Sequence, residues 1–227
     1  MNDPLPAVGR RCFRELIPEI FDAARYLDAA VSAHLAGEAR CASELIKLAD
    51  MPVLRAWLDS IWGAKSPYIQ YRHVVGAPAL VPKEEKASRR MPDSSIKRQL
   101  IGRDGYHCRL CGIPVIREEV RKRFHRLYPD AVPWAAGNIN QHAGFQVLWL
   151  QYDHLVPHAR GGSNDLDNML IACAACNYGR MEYMLEEVGF APVSSIERTR
   201  SSWDGLERIM KVQNRQNRGQ VRLSYRS

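Results

Sequence analysis

Two Cys-x-x-Cys pairs limit how this chain can fold more than any other feature of its sequence. The first pair is Cys108 and Cys111, and the second, which starts 62 positions after Cys111, is Cys173 and Cys176. A gap of two residues lets both thiolates of a pair bind one tetrahedral zinc ion at about 2.3 Å. One pair alone could equally be a redox motif, whereas two pairs that bracket a folded segment predict one shared zinc. Because four protein thiolates leave no open coordination position, we expect this zinc to be structural.

The composition narrows the class of protein. The chain has 227 residues, of which 46% are hydrophobic and 25% charged, as in ordinary globular proteins. Its N-terminus lacks the apolar segment of a signal peptide, and no apolar run approaches the roughly 20 residues that cross a bilayer. Six cysteines, four of them in the two pairs, fit metal binding in a reducing compartment better than a disulfide framework. The sequence therefore predicts a cytoplasmic protein with no membrane partner.

Pattern and composition divide the chain into four stretches. Residues 1–75 have apolar positions at steps of three and four, which predict a small helical unit. Residues 76–95 combine three prolines with charged side chains, as is typical of a linker or an extended arm. The basic residues 86–90 within it could lie along a phosphate backbone, but the composition favours a solvated linker. Residues 96–190 hold both cysteine pairs and are nearly neutral. Residues 191–227 form a basic tail, with eight Lys and Arg against three Asp and Glu, which suits contacts with phosphate.

Local patterns predict the elements around the second cysteine pair. The β-prone run Gly144–Tyr152 predicts a strand that delivers Asp153 and His154 at its end. The apolar residues 168–172 predict a second strand, and residues 174–188 have the spacing of a helix. Elsewhere we expect helices that begin near Pro18 and Pro52, a short helix over residues 96–101 capped by Ser94 or Ser95, a surface helix over 117–128 and a helix over 202–211. We expect His107, His125 and His142 to lie at the surface. Cys12 has no expected role as a metal ligand.

The side chains at this strand end suit the hydrolysis of a phosphodiester. That reaction needs a base that takes a proton from water and a cation that neutralises the charge growing on the phosphate. His154 can be the base, because the ordinary pKa of histidine lies near neutrality. Asp153 and Asn177 offer hard oxygen ligands, which suit Mg²⁺ or Mn²⁺. Asn177 directly follows Cys176, so the zinc is expected to fix the start of the helix that carries it.

A longer pattern connects the two cysteine pairs. It runs through Arg103-Asp104-Gly-Tyr106-x-Cys108-x-x-Cys111-Gly, Tyr152-Asp153-His154-Leu-Val-Pro157, Gly161-Gly162-x-Asn164-Asp165-Leu166-x-Asn168-Met and Cys173-x-x-Cys176-Asn177. In order and spacing, residues 96–188 resemble the HNH endonuclease family of ββα-metal nucleases with two zinc knuckles. The resemblance implies an α+β fold, in which the N-terminal helical unit precedes a zinc-stabilised ββα-metal nuclease domain. Many relatives carry histidine where this chain has Asn177, so the chain is an HNN-type variant whose uncharged amide implies modest affinity for the metal.

The resemblance also implies roles for individual residues. His154 would be the general base, while Asp153 and Asn177 would hold the catalytic cation. Asn168 would hold the loop and orient His154, and the two glycines would give the loop its sharp reversal. Arg180, one turn after Asn177, would contact the scissile phosphate. His158, Arg160 and Arg180 are the expected nucleic-acid contacts, although His158 could equally be a solvated loop residue.

We therefore expect a metal-dependent endonuclease that hydrolyses DNA, with a structural zinc and a catalytic Mg²⁺ or Mn²⁺. The alternative is a zinc-ribbon module that binds nucleic acid or protein without catalysis. Retention of Asp153, His154, Asn168 and Asn177 argues against the alternative, because a scaffold needs only the cysteines. By analogy with how such nucleases are used, the N-terminal helices could dock onto an ATPase or sensor subunit, which would make this chain the effector of an anti-phage or restriction-type system.

Overall fold

The computed structural model describes residues 9–62, 66–86 and 89–211, and it confirms the expected α+β class. Three helices precede a region in which a two-stranded sheet and a following helix lie beside the clustered cysteines. Among the described residues, no helix is both long and apolar enough to cross a membrane. The helices and strands are α1 (Pro18–Leu35), α2 (Ala39–Leu48), α3 (Pro52–Asp59), α4 (Ser94–Asp104), α5 (Glu118–Leu127), α6 (Ala143–Val147), β1 (Leu150–His154), β2 (Met169–Cys173) and α7 (Ala174–Arg180).

Helices α1 and α3 begin where their prolines predicted. Pro18 and Pro52 each occupy the first turn, where the fixed φ of proline suits a helix and its missing N–H is not needed. Apolar residues of α1 at helical spacing, among them Ile20, Leu27 and Val31, are fully buried. They pack in the same core as Ile46 of α2. Burial of this face against α2 is what stabilises the unit, since helical propensity alone gives little.

The N-terminal helices pack directly onto the region that carries the cysteines. A Cβ on Gly179 of α7 would lie 2.6 Å from the ring of Phe13, so glycine is required for this close approach. His142 was expected at the surface, but it is fully buried, and its Nε2 lies 3.0 Å from the carbonyl oxygen of Ile46. His107, also expected at the surface, is 7% exposed. One continuous core therefore supports both parts of the chain.

The sheet is a short antiparallel hairpin that leads straight into α7. Leu150 pairs with Cys173 and His154 with Met169, so β1 and β2 are in register over their whole length. The predicted strand over residues 144–152 is wrong in its first half, where the chain forms α6. The reason is a local cap, because Nδ1 of His142 accepts a hydrogen bond from the backbone N–H of Phe145 and starts a helical turn.

Two other predicted helix boundaries are also wrong. Helix α4 extends to Asp104 and is capped by Asp93, whose Oδ1 accepts from the backbone N–H of Ser95 and Ile96. Helix α7 ends at Arg180 instead of continuing to residue 188, because Met181 adopts a φ of +51° that a helix cannot contain. Helix α5 lies where it was predicted, over Glu118–Leu127, and buries Phe124 on one side.

Residues 191–211 pack against the core and against helix α1. Leu206 and Ile209 are fully buried, and the guanidinium of Arg208 pairs with Asp28 of α1 at 2.7 Å. The helix predicted over residues 202–211 is only a 3-10 turn at Glu207–Met210. Most of the arginines of the predicted basic tail fall in residues 212–227, which lie outside the described residues. The four-stretch division of the chain stays a prediction.

Candidate metal centre and active site

The four paired cysteines come together in one cluster. Their Sγ atoms all lie within 4.8 Å of one another, and those of Cys111 and Cys173 are 3.7 Å apart. Tetrahedral zinc at about 2.3 Å from each sulfur would place neighbouring sulfurs about 3.8 Å apart. Cys108, Cys173 and Cys176 are buried, so the set is closed to solvent on most sides. The donor set therefore fits zinc, as the spacing predicted.

Local backbone geometry builds each half of the cluster. In the first knuckle, Gly112 has a φ of +80°, and its N–H donates to the carbonyl oxygen of Cys108 at 2.9 Å, closing a tight turn. In the second, Cys173 is the last residue of β2 and the N-cap of α7, and its Sγ accepts from the N–H of Cys176 at 3.4 Å. The knuckles are joined by a hydrogen bond from the N–H of Arg109 to the carbonyl oxygen of Ile171. The cluster therefore fixes the start of α7.

Cys12 is a fifth thiol at this cluster, where no ligand role was expected for it. Its side chain is half-buried and lies beside Cys111 and Cys176, within sulfur hydrogen-bond distance of both. It lies outside the set of four whose sulfurs are mutually close enough to share one ion. Ninety-six positions separate Cys12 from the first knuckle, so no local spacing could reveal this neighbour.

Asp153 leaves one carboxylate oxygen available at the end of β1. Its Oδ1 accepts from the N–H of His154 at 2.8 Å and from Nη2 of Arg180 at 2.5 Å. Its Oδ2 is buried and has no hydrogen-bond partner among the described residues. A buried carboxylate oxygen without a partner is costly, so a cation is the natural occupant of this position. Carboxylate oxygens are ligands that hard metal ions prefer, and the assignment of Asp153 as such a ligand stays a prediction.

Arg180 has a different position from the one expected for a phosphate contact. The side chain is 1% exposed, and it donates to Asp153 Oδ1, to the carbonyl oxygens of Leu155 and Tyr183 at 3.2 Å each, and to that of His154. All of these acceptors belong to the protein itself. The guanidinium is therefore engaged inside the fold, where it holds the carboxylate at the end of β1.

His154 is positioned by Asn164, whose role the sequence did not reveal. Nδ2 of Asn164 lies 2.7 Å from the carbonyl oxygen of Arg89, which can only accept, so the amide oxygen faces His154. That oxygen lies 2.9 Å from Nε2 of His154, which must then carry the proton and leave the lone pair on Nδ1. Burial lowers the pKa of His154, so the imidazole is neutral near pH 7. This is the protonation state that a general base requires.

Asn168 holds the loop between the strands, as expected, but its side chain does not contact His154. Its Oδ1 accepts from the N–H of Val156 at 2.8 Å, and its Nδ2 donates to the carbonyl oxygens of Val156 and Ser163. A Cβ on Gly162 would lie 1.7 Å from the carbonyl oxygen of Val156, so only glycine fits at this reversal. Asn168 thus acts on the base indirectly, by fixing the loop that carries Asn164.

A cleft of about 650 Å³ brings the remaining candidates together. Asp153, His154 and Asn177 all line it, and Nδ2 of Asn177 lies 3.5 Å from Oε1 of Gln151. His158 also lines the cleft, with its ring 5.9 Å from that of His154. Of the site residues predicted from the sequence, these four line one cleft, whereas Asn168, Arg160 and Arg180 do not line it.

Arg160, an expected nucleic-acid contact, is tied to other parts of the protein. Its guanidinium pairs with Glu187 at 2.8 Å, and both side chains are about nine-tenths buried. The same group donates to the carbonyl oxygens of Glu182 at 2.7 Å and Pro78 at 2.6 Å. Arg160 therefore links the loop to two other segments of the protein, and it does not line the cleft.

Comparison with known proteins places residues 144–180 in the HNH endonuclease family model. The match starts before β1 and ends at Arg180, so it contains Asp153, His154, Asn168 and Asn177 but not the first knuckle. No curated protein and no solved structure matches the chain. The resemblance predicted from the sequence is confirmed over this segment, and it supports nuclease activity at the level of the family.

Proposed function

We propose that the HNH endonuclease region of this chain hydrolyses DNA phosphodiester bonds with the help of Mg²⁺ or Mn²⁺. The observation that carries the proposal is the buried Oδ2 of Asp153, which has no partner among the described residues and lies beside a histidine fixed in its neutral form. A scaffold that only binds nucleic acid would gain nothing from a costly buried carboxylate.

His154 takes the proton of the attacking water. Hydrogen bonding of Nε2 to Asn164 leaves Nδ1 as the atom that accepts this proton. Asn164 is in turn held by the arm through Arg89 and by the loop through Asn168. The base is therefore oriented before substrate arrives, which is what makes general base catalysis effective.

Asp153 and Asn177 would hold the divalent cation, and a cation bound there supplies charge neutralisation at the phosphate during hydrolysis. Arg180 acts as a positioning residue, because its contacts hold Oδ1 of Asp153 and leave Oδ2 as the oxygen that would bind the ion. The zinc set is a separate structural site, whose four sulfurs fill the coordination shell.

The experiment is plasmid cleavage with Mg²⁺ or Mn²⁺. We expect wild-type protein to nick supercoiled DNA, and we expect His154→Ala to lower the rate by about 10²–10⁴-fold, the usual contribution of a general base. His73→Ala is the matched control, because His73 is an exposed histidine outside the cleft. Circular dichroism and zinc content should be unchanged in both variants.

Two results would reject the proposal. Equal cleavage by the two variants would show that His154 is not the base. Wild-type protein that carries zinc and binds the plasmid, but does not cut it with either cation, would favour the zinc-ribbon binding module instead. The role as an effector that docks onto an ATPase or sensor subunit stays a prediction, since it depends on partners beyond this chain.

A further inference from the structure

The arm between the N-terminal helices and α4 lies along the loop that holds the catalytic histidine. The N–H of Val81 donates to the carbonyl oxygen of Ala159 at 3.0 Å. The carbonyl oxygens of Pro78 and Arg89 accept from Arg160 at 2.6 Å and from Asn164 at 2.7 Å. These hydrogen bonds join the arm to the loop at three places. The described parts of the arm therefore have a fixed position at the site.

In this position the arm forms one wall of the cleft. Lys86, Arg90 and Met91 line the cleft together with Asp153 and His154. Lys86 is half-buried and Arg90 is exposed, and neither forms an ion pair with a carboxylate among the described residues. Two cations thus face the cleft.

The rest of the cleft is poor in positive charge. Arg160 and Arg180 are engaged with Glu187 and Asp153, and neither guanidinium lines the cleft. The cleft also contains Glu182, which repels a phosphate. A nucleic acid that enters the cleft brings several phosphates close to Asp153 and Glu182. Its binding therefore needs positive charges that this part of the cleft does not supply.

We propose that the arm is part of the substrate site, and that Lys86 and Arg90 bind the phosphates that flank the scissile one. This inference rests on the proposed nuclease function, and it adds a contact surface that lies wholly outside the matched segment 144–180. It also explains why the arm is held to the loop, since the same hydrogen bonds that fix Asn164 set the distance between the cations and the base.

The test compares two pairs of substitutions that remove equal charge. Lys86→Ala with Arg90→Ala changes the cleft, whereas Arg40→Ala with Arg126→Ala removes two exposed arginines from helices α2 and α5. Binding of a short DNA duplex is measured by fluorescence anisotropy between 50 mM and 200 mM salt, in the cleavage-deficient His154→Ala background. Nicking of supercoiled plasmid is measured for the same pairs with His154 present.

Each phosphate contact contributes about 0.9 to the slope of log affinity against log salt. Loss of two contacts should lower the slope by about 1.8, so the fall in affinity over this fourfold range of salt should be about 12-fold smaller than in the control pair. Plasmid nicking should need more DNA to reach half its maximal rate. The control pair should behave like the parent protein in both assays.

An equal slope for the two pairs would reject the inference while leaving the nuclease proposal intact. A loss of nicking with no change in slope would also reject it, because the arm would then act only through the structure of the loop. If the parent binds DNA but never nicks it, the nuclease proposal fails, and the slopes still decide whether the arm contacts phosphate.

Discussion

Replacement of Arg180 by methionine would remove a buried guanidinium and leave Asp153 without its charged partner. Methionine can fill much of the same volume, but it cannot donate to Asp153 or to the three carbonyl oxygens that now accept from Arg180. The two side chains are 1% and 7% exposed, so water cannot easily replace the lost contacts. The variant therefore contains an uncompensated buried carboxylate.

Removal of one partner from a buried ion pair usually costs about 3–5 kcal/mol. That is a large part of the roughly 5–15 kcal/mol that stabilises a typical protein. For a chain of this size, about 2–4 °C of melting temperature is lost per kcal/mol, so we expect a fall of about 6–20 °C. Arg98→Met is the control, because Arg98 is exposed on α4 and its loss should cost no more than about 0.5 kcal/mol.

Thermal and urea unfolding of zinc-loaded protein measure the effect. The double variant Asp153→Asn with Arg180→Met should recover part of the stability lost in Arg180→Met, since it removes both charges together. A phosphate contact would behave differently, with unchanged stability and a smaller salt slope for DNA binding. If Arg180→Met has the same melting temperature as the wild type and only its DNA binding is weaker, the argument from the buried ion pair is wrong.

Three further predictions concern the zinc, the base and the buried histidine. Protein from which a strong chelator has removed the zinc should melt at a lower temperature and should not cleave DNA even with excess Mg²⁺, because the cluster fixes α7. Elemental analysis that finds less than about one zinc per native chain would contradict this prediction. Asn164→Ala should reduce cleavage by about 10–100-fold with little change in melting temperature, as expected for a residue that orients a functional group, and a full rate would contradict the assigned tautomer. Burial lowers the pKa of His142 below its ordinary 6.5, so its contribution to stability is present above pH 6.5 and is lost as the pH falls below that value; the loss between pH 7 and pH 5, measured by urea unfolding, should be smaller in His142→Asn.

The outline of the site could be predicted because its chemistry depends on local spacing. Two residues between the cysteines of each pair suffice to indicate a shared ion, and the cluster has this form. The placement of Asp153 and His154 at a strand end follows from β-propensity. The sharp reversal at Gly162 was implied by the resemblance, and the structure leaves no room for a Cβ there. The helical starts at Pro18 and Pro52 follow from the fixed φ of proline in the same way.

Other parts of the fold escaped prediction because two local preferences competed. Residues 144–147 have the aromatic and branched composition of a strand, yet the side chain of His142 caps a helical turn there. Burial of that imidazole depends on α2, nearly a hundred positions earlier in the chain. A short stretch of sequence around residue 144 does not include Ile46 of α2, so it cannot show that His142 is buried and caps a helix there.

The sequence by itself determined which chemical groups this protein has and the order in which its strands deliver them. Only the tertiary structure decided which of its charges are free. Arg160 and Arg180 look like phosphate contacts in the sequence, but each meets a carboxylate inside the protein, whereas Lys86 and Arg90 look like solvated linker and face the cleft. The physical reason is that the strength of a charge pair depends on burial and distance, and both are set by segments far apart in the chain.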